Sequence, residues 1–155
     1  EHMKCDFLAM PCNTAHFYYE QISEKVSIPI LNMIELSTES LVELDLSKIG
    51  ILASPALKQI GVFEKSFDKH QLKSKFIEND ADILNLIKII KKGSLGKNTI
   101  NEFKLLVDKL FNSDCEGILI ACTELSLLKK YVPESIPCLD SLDCLVDNII
   151  LKASK

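Results

Sequence analysis

Two segments of this sequence, each centred on a cysteine, are alike. Residues 4–14 can be aligned with residues 114–124, and in each a cysteine followed by an acidic residue precedes an apolar run that ends in a second cysteine. These second cysteines are Cys12 and Cys122, and a Ser-Ile-Pro tripeptide follows each segment at a similar distance. Two copies of one unit, each ending a strand in a thiol, predict two sulfur atoms that face each other across a cleft.

The two thiols are predicted to lie where a buried strand gives way to a helix. The N-terminus of a helix favours negative charge, so the pKa of a thiol there falls below its usual value of about 8.5. Asn13, Thr14 and Thr123 add side-chain donors that can hold a carboxylate. A carboxylate between two thiols indicates proton transfer at the adjacent carbon, in which one thiolate removes a proton and the opposite thiol delivers one to the other face. The alternative is a pair of buried strand-end cysteines whose neighbours cap helices.

The elements that would position these thiols alternate along the chain. Short apolar runs of β-forming residues predict buried strands of a parallel sheet covered on both faces. Helical patterns separate them, which is typical of a three-layer α/β fold. The polar, weakly periodic segment 64–79 is predicted to be a surface connection with at most one short strand. The predicted strands are residues 6–10, 28–31, 48–53, 116–121 and 136–139, and the predicted helices are residues 13–25, 37–46, 55–63, 80–91, 98–111, 123–131 and 141–152.

The repeat predicts two pseudo-symmetric three-layer αβα units with parallel sheets. Residues 1–47 would form the first unit and residues 48–140 the second, with the terminal helix, residues 141–155, packing on the first. The second unit has a strand and several helices before Cys122, whereas only residues 1–11 precede Cys12. We therefore expect the first unit to be incomplete at its N-terminus.

Composition excludes several classes of function. The 155 residues are 47% hydrophobic and 26% charged, as in soluble globular proteins. The net charge is −4, and every basic side chain is a lysine, so the bidentate arginine contacts that favour nucleic acid are absent. No apolar run approaches the roughly 20 residues of a membrane span, and the first residues do not resemble a signal peptide. We expect a cytoplasmic protein that binds neither nucleic acid nor membrane.

The remaining cysteines are expected to be structural. In the cytoplasm the six cysteines would be reduced. Cys5, Cys115, Cys138 and Cys144 lie in apolar sequence and are predicted to be small buried hydrophobic residues. The cysteine separations do not match known zinc-ligand spacings, so no metal site is expected.

The sequences around the two thiols are Met-Pro-Cys-Asn-Thr-Ala-His at residues 10–16 and Ala-Cys-Thr-Glu-Leu at residues 121–125. Together they resemble the aspartate/glutamate racemase superfamily, and most closely its aspartate racemase branch. The glutamate racemase branch usually has histidine where this chain has Glu124. The resemblance extends over nearly the whole chain, through residues 28–31, 48–53 and 136–140.

This resemblance implies a cofactor-independent racemase, expected to be a homodimer, that binds an acidic amino acid between two α/β domains. Cys12 and Cys122 would be its two acid/base residues. Asn13, Thr14 and Thr123 would hold the α-carboxylate. The likeness gives supporting roles to three further side chains: Glu124 would orient the second thiol, His16 would act near the first, and Lys91 would contact the side-chain carboxylate of the substrate.

The sequence departs from the family in two places. The family usually has Ala-Thr-x-Gly-Thr after its central strand, whereas residues 53–57 read Ala-Ser-Pro-Ala-Leu. Ser54 keeps a hydroxyl for the substrate, but the other donors are lost. The family's N-terminal strand, glycine-rich turn and pocket arginine would precede Glu1, so we expect this chain to be a piece of the enzyme. Whether the piece is active or inactive alone stays open at this point.

Three alternatives stay open at this point. Another superfamily isomerase or decarboxylase acting on a small carboxylic acid fits the same motifs. A truncated, non-catalytic copy that binds a carboxylate fits the missing segment. Individually, His16 could be purely structural and Lys91 could be a solvated lysine at a helix end.

Overall fold

A computed structural model describes residues 4–154, which form an α/β fold with parallel strands. The first sheet pairs β1 (Leu8–Ala9) with β2 (Ile30–Leu31). The second sheet has the order β4-β3-β5-β6, and its neighbouring strands are all parallel. Its strands are β3 (Lys48–Leu52), β4 (Lys73–Phe76), β5 (Gly117–Ile120) and β6 (Cys138–Asp140). The predicted α/β class with parallel sheets is confirmed.

Helices connect the strands. A 3-10 turn at Thr14–Tyr18 precedes the short helix α1, and a second 3-10 turn lies at Lys129–Tyr131. The α-helices are α1 (Tyr19–Ser23), α2 (Met33–Glu43), α3 (Pro55–Ile60), α4 (Glu64–Lys69), α5 (Asp80–Lys91), α6 (Lys97–Phe111), α7 (Thr123–Ser126) and α8 (Ser141–Ala153). None of the helices within residues 4–154 is both long and apolar enough to cross a bilayer.

The four-stranded sheet is covered on both faces. Every residue of β5 is buried, and its side chains alternate between two cores. Ile118 and Ile120 pack in one core with side chains of α5 and α6, such as Phe103. Leu119 packs in the other, together with Leu41 of α2 and residues of α3 and α4. The continuous apolar runs of β3 and β5 are explained by this two-sided burial.

Gly50 lets α6 approach the sheet closely. A Cβ atom at Gly50 would lie 2.8 Å from Cδ1 of Ile118 and 3.1 Å from Cβ of Leu110. These separations are shorter than ordinary carbon contacts, so a larger residue would push α6 away from β3. Gly50 thereby sets the close spacing between α6 and β3, the strand that leads to Ser54.

Helix α2 packs against both sheets. Met33 joins a small cluster with Leu31 and Leu145, beside the two-stranded sheet. Ile34 and Leu41 are buried in the core of the four-stranded sheet. Helix α8 contacts α2 and β2, so the C-terminal helix packs on elements from the first part of the chain.

The structure corrects the prediction for residues 64–79. This segment contains α4 and β4, and Phe67, Leu72 and Ile77 are buried. β4 is an edge strand whose residues Lys73–Phe76 are mostly exposed, which explains its polar sequence. The prediction of a surface connection is therefore wrong, although its one short strand exists.

Other boundaries also differ from the prediction. Helix α2 begins at Met33, because the side chain of Asn32 caps it by accepting hydrogen bonds from Ile34 and Glu35 N–H groups. The predicted helix 13–25 is a 3-10 turn followed by α1, and the predicted helix 123–131 breaks after Ser126. Cys5 is exposed and Cys138 is half-buried, whereas both were predicted to be buried.

Candidate active site

Turns that follow strands of both sheets converge on one cavity. Cys12 follows β1, Ser54 follows β3 and Cys122 follows β5, so each lies beyond the carboxyl end of its strand. In open α/β sheets this edge is where ligands bind. The cavity has a volume of about 180 Å³ and is lined by Cys12, Asn13, Thr14, Ser54, Ile87, Lys91, Ala121, Cys122, Thr123 and Glu124.

Most of the predicted site residues line this cavity, and His16 does not. The sequence did not indicate Ile87 or Ala121. Ile87 lies four residues before Lys91 on α5, and residues with this spacing share a helix face, so the pattern could have revealed it. Ala121 directly precedes Cys122 at the end of β5.

The Cys122 thiol is bonded to a carboxylate. Its Sγ donates a hydrogen bond to Oε2 of Glu124 at 3.1 Å. Burial raises the pKa of Cys122 to about 12, and the hydrogen bond and charge of Glu124 contribute in the same direction. The expected low pKa is therefore wrong for Cys122, since α7 has only four residues and its N–H groups do not offset burial. Cys122 is a protonated thiol near neutral pH.

Glu124 forms an ion pair with Lys91 as well as its hydrogen bond with Cys122. Its Nζ lies 3.0 Å from Oε1 of Glu124, while the other carboxylate oxygen accepts from Cys122. Burial opposes ionisation of Glu124, yet hydrogen bonds from Cys122 and Lys91 lower the pKa of this carboxyl group. Glu124 in turn raises the pKa of Lys91. Although the Lys91 side chain is 62% exposed, it is the one cation among the cavity-lining residues in the described chain.

Helix α5 delivers Lys91 to the cavity. Asn79 caps its start by accepting from the Ala81 N–H, and Asp80 and Asp82 occupy the first turn. Lys91 is its last residue, and Gly93 follows with a φ of +77°, which ends the helix. Because α5 ends at Lys91, the ammonium group of this last helical residue lies beside the cavity.

The Cys12 turn is held through its backbone. Cys12 itself is exposed, and its carbonyl accepts a hydrogen bond from Nδ1 of His16 at 2.8 Å. The Met33 N–H donates to Nε2 of His16 at 3.0 Å, so the proton of the ring is on Nδ1. Burial lowers the pKa of His16, which favours this neutral form. His16 therefore ties the Cys12 turn to the start of α2.

A second link joins the Cys12 turn to β5. Nδ2 of Asn13 donates to Oγ of Ser141 at 2.8 Å, and Ser141 donates to the Ile120 carbonyl at 3.1 Å. Ser141 follows Asp140, whose side chain caps α8 by accepting from the Leu142 N–H. In the sequence, Ser141 is indistinguishable from an ordinary residue of a helix start.

Hydroxyl groups supply the remaining polar lining. Oγ of Ser54 accepts from the Leu57 N–H at 3.3 Å as the cap of α3, so its hydrogen is free to donate to a ligand. Thr14 and Thr123 line the same cavity beside the two thiols. Within residues 4–154 no group of three or more His, Cys, Asp or Glu side chains is arranged to hold a metal ion.

Comparison with known proteins decides the family. Residues 1–149 match the Asp/Glu/Hydantoin racemase family. This chain belongs to that family. The resemblance of the two thiol motifs to the aspartate/glutamate racemases is thereby confirmed.

Individual members of the racemase family are similar to the chain over part of their length. The broad specificity amino-acid racemase RacX of Bacillus subtilis is 28% identical over 146 residues, covering 94% of this chain and 63% of that protein. A glutamate racemase of Sulfurihydrogenibium sp. is 26% identical over 152 residues, covering 89% of this chain and 54% of that protein.

A solved aspartate racemase of Picrophilus torridus has the same fold. It superposes with a TM-score of 0.85 at 23% identity, covering 100% of this chain and 65% of that one. The chain spans less than two thirds of the length of each of these three proteins.

Proposed function

We propose that the protein is a cofactor-independent amino-acid racemase acting on aspartate, with Cys12 and Cys122 as its two acid/base groups. The observation that carries this proposal is that both thiols line one cavity of about 180 Å³. A racemase of this kind needs a proton acceptor on one side of the substrate α-carbon and a proton donor on the other. The family and the names of its members support the reaction class.

The environments of the thiols suggest their resting roles. Cys122 carries its proton, because burial and Glu124 raise its pKa to about 12. Racemisation in this direction requires the Cys12 sulfur to act as the base and to remove the α-proton from the face turned toward it. The Cys122 thiol would then donate its proton to the opposite face of the carbanion. One proton leaves and one arrives, so the product is the enantiomer and the two thiols have exchanged protonation states.

Glu124 interacts with the thiol form of Cys122. In the reverse direction Cys122, left as the thiolate by the forward transfer, would remove the α-proton while the protonated Cys12 donates one to the opposite face. The thiol so restored donates its hydrogen bond to Oε2 of Glu124 at 3.1 Å. The hydrogen bond from Lys91 keeps Glu124 ionised, and therefore able to accept this hydrogen bond.

The polar lining supports an acidic substrate. The hydroxyls of Ser54 and Thr14 can donate to the α-carboxylate, as can the N–H groups of the adjoining turns. The Thr123 hydroxyl, which donates to Oε2 of Glu124 at 3.5 Å, could do so after turning away from that oxygen. Lys91 can contact a side-chain carboxylate while remaining near Glu124, since an ammonium group has three donors. A neutral substrate would leave this cation paired with Glu124 alone.

Incubation with L-aspartate in deuterated water tests the proposal. The protein should place deuterium on the α-carbon and yield D-aspartate, followed by proton NMR and chiral chromatography. Replacing both thiols, as Cys12→Ala with Cys122→Ala, should abolish both signals. The two-thiol mechanism is wrong if exchange persists in that double variant.

A substrate panel tests the choice of aspartate. Glutamate, alanine and a substituted malonate should react more slowly than aspartate if Lys91 recognises a short acidic side chain. Turnover of the malonate with release of carbon dioxide, and none of aspartate, would instead show a decarboxylase.

A further inference from the structure

Ser141 lies outside the cavity lining but bonds to both thiol-bearing segments. Its side chain is 1% exposed. Its Oγ accepts from Asn13, the residue after Cys12, and donates to the carbonyl of Ile120, two residues before Cys122. A buried hydroxyl with a donor on one side and an acceptor on the other has a fixed hydrogen-bond direction. The distance between the two segments at this point is therefore set by one oxygen atom.

Asn13 depends on this bond for the orientation of its side chain. Asn13 is 4% exposed, and its Oδ1 has no hydrogen-bond partner among the described residues. Ser141 is thus the group that holds its amide. A buried polar group held at one end is restrained mainly by that contact. Releasing it would free the side chain beside Cys12.

The residue before Ser141 anchors the other thiol segment. Oδ1 of Asp140 accepts from Oγ of Ser126 at 3.0 Å, and Ser126 is the last residue of α7. The same oxygen accepts from the Leu142 N–H at 2.9 Å. The start of α8 is therefore bonded to the helix that follows Cys122, while Ser141 reaches across to the turn that carries Cys12.

We propose that Ser141 is a positioning residue that fixes Cys12 relative to Cys122 through the side chain of Asn13. The inference rests on the proposed function, because proton transfer by two opposed thiols requires both sulfur atoms in line with the α-carbon. A misplacement of about 1 Å at a reacting group can lower a rate by about 10²-fold. Among the described residues Ser141 makes no hydrogen bond to either thiol, so its effect on Cys12 passes through Asn13.

Kinetics of Ser141→Ala provide the first test. The variant should lose about 10- to 100-fold in kcat for aspartate racemisation, by the positioning argument. Ser66→Ala is the matched control, since Ser66 is 2% exposed and its hydroxyl donates to Glu35, away from the cavity. The control should keep kcat close to that of the unaltered protein. Equal losses in the two variants would overturn the proposal.

A double-mutant cycle shows whether Ser141 acts through Asn13. If it does, Ser141→Ala should lower kcat strongly in the natural background and little further in the Asn13→Ala background. Additive losses would mean that Ser141 acts by another route, and the proposal would fail.

A third measurement does not depend on activity. In protein labelled with 15N-asparagine, the side-chain amide protons of Asn13, identified by their disappearance in Asn13→Asp, should exchange slowly with solvent. Ser141→Ala should speed this exchange at least about tenfold, and Ser66→Ala should leave it unchanged. Ser141→Cys, with a weaker acceptor of similar size, should give intermediate exchange and replaces the alanine variant if that variant does not fold.

The two kinds of readout separate the possible failures. Protected Asn13 protons without any aspartate turnover would refute the proposed function but keep the bond between Ser141 and Asn13. Rapid exchange of these protons in the unaltered protein would refute the positioning role, whatever the activity.

Discussion

The two thiol segments share a sequence pattern but differ in what surrounds the sulfur. Cys12 is exposed, and its turn is held by a hydrogen bond from His16 to its backbone. Cys122 is half-buried, and its sulfur bonds directly to Glu124. In the alignment of the two segments, Thr14 occupies the position of Glu124. Equivalent positions of the repeat therefore carry two chemically different thiols, which differ in burial and in the residue two places later.

This asymmetry cannot appear in every measurement. The two enantiomers of aspartate have equal free energies in water, so kcat/KM must be the same in both directions for any racemase. Differences between the thiols must instead be sought in isotope exchange, thiol reactivity and the effects of single replacements.

The largest expected effect comes from replacing one thiol at a time. Cys12→Ser and Cys122→Ser should each lower racemisation by about 10²- to 10⁴-fold, because a hydroxyl is a poor acid/base group near neutral pH. Cys122→Ser should still exchange the α-proton of the enantiomer whose proton faces Cys12, as measured by NMR in deuterated water. Cys12→Ser should exchange neither enantiomer, since Cys122 holds its proton. Equal residual exchange in both variants would contradict the assigned resting roles.

Thiol alkylation offers the next largest effect. Glu124→Gln removes a charge that raises the pKa of Cys122, so the thiolate fraction at Cys122 should rise by about tenfold for each pKa unit recovered. Alkylation rates followed by peptide mass spectrometry should increase at Cys122 and stay constant at Cys12. Glu134→Gln, at an exposed position outside the cavity lining, is the control. A comparable increase at Cys12 would show that Glu124 acts on both thiols.

A smaller effect is expected at Lys91. Lys91→Met should lower kcat/KM for aspartate by about tenfold relative to alanine, because a contact between an ammonium and a carboxylate at a partly exposed site is modest. Lys88→Met, three residues earlier on α5, is the control and should change kcat/KM for neither substrate. Equal losses for both amino acids would mean that Lys91 acts only through Glu124.

The smallest effect concerns the acid stability of the Cys12 segment. Burial lowers the pKa of His16 from 6.5, so the unfolded chain binds this proton more readily than the folded protein. The stabilisation is present above pH 6.5 and is lost as the pH falls through the lowered pKa, by at most about 1.4 kcal/mol for each pH unit. Urea unfolding at several pH values should show this decline. It should flatten in His16→Asn and persist in His70→Asn; the same curve for both variants would argue against His16.

Sequence patterns foresaw elements whose burial agrees with their local composition. β3 and β5 are apolar runs buried on both faces, and α5 is bounded by Asn79 and Gly93, so their limits were nearly correct. β4 was obscured because exposure at the sheet edge allows lysine and serine in a strand.

The residues that line the cavity were easier to predict from the sequence than their ion pairs and pKa values. Strand-end positions placed Cys12 and Cys122 at the carboxyl ends of strands in two sheets, and the repeat indicated that the two sulfur atoms share one cleft. Nothing in the sequence pairs Lys91 with Glu124, because that contact joins the end of α5 to the first turn of α7, which lies much later in the chain. The pKa of Cys122 depends on burial by layers from distant parts of the chain, so local position alone gave the wrong direction.

The packing of helix α2 has a consequence for how the molecule unfolds. It buries Met33 beside the two-stranded sheet and Leu41 in the core of the four-stranded sheet, so neither sheet can lose its packing without exposing apolar surface of the other. Amide hydrogens of β2 and β3 should accordingly exchange through the same global unfolding event, as members of one cooperative unit. The strands on both sides of the cleft between the thiols would then lose their protection together, at the free energy of global unfolding.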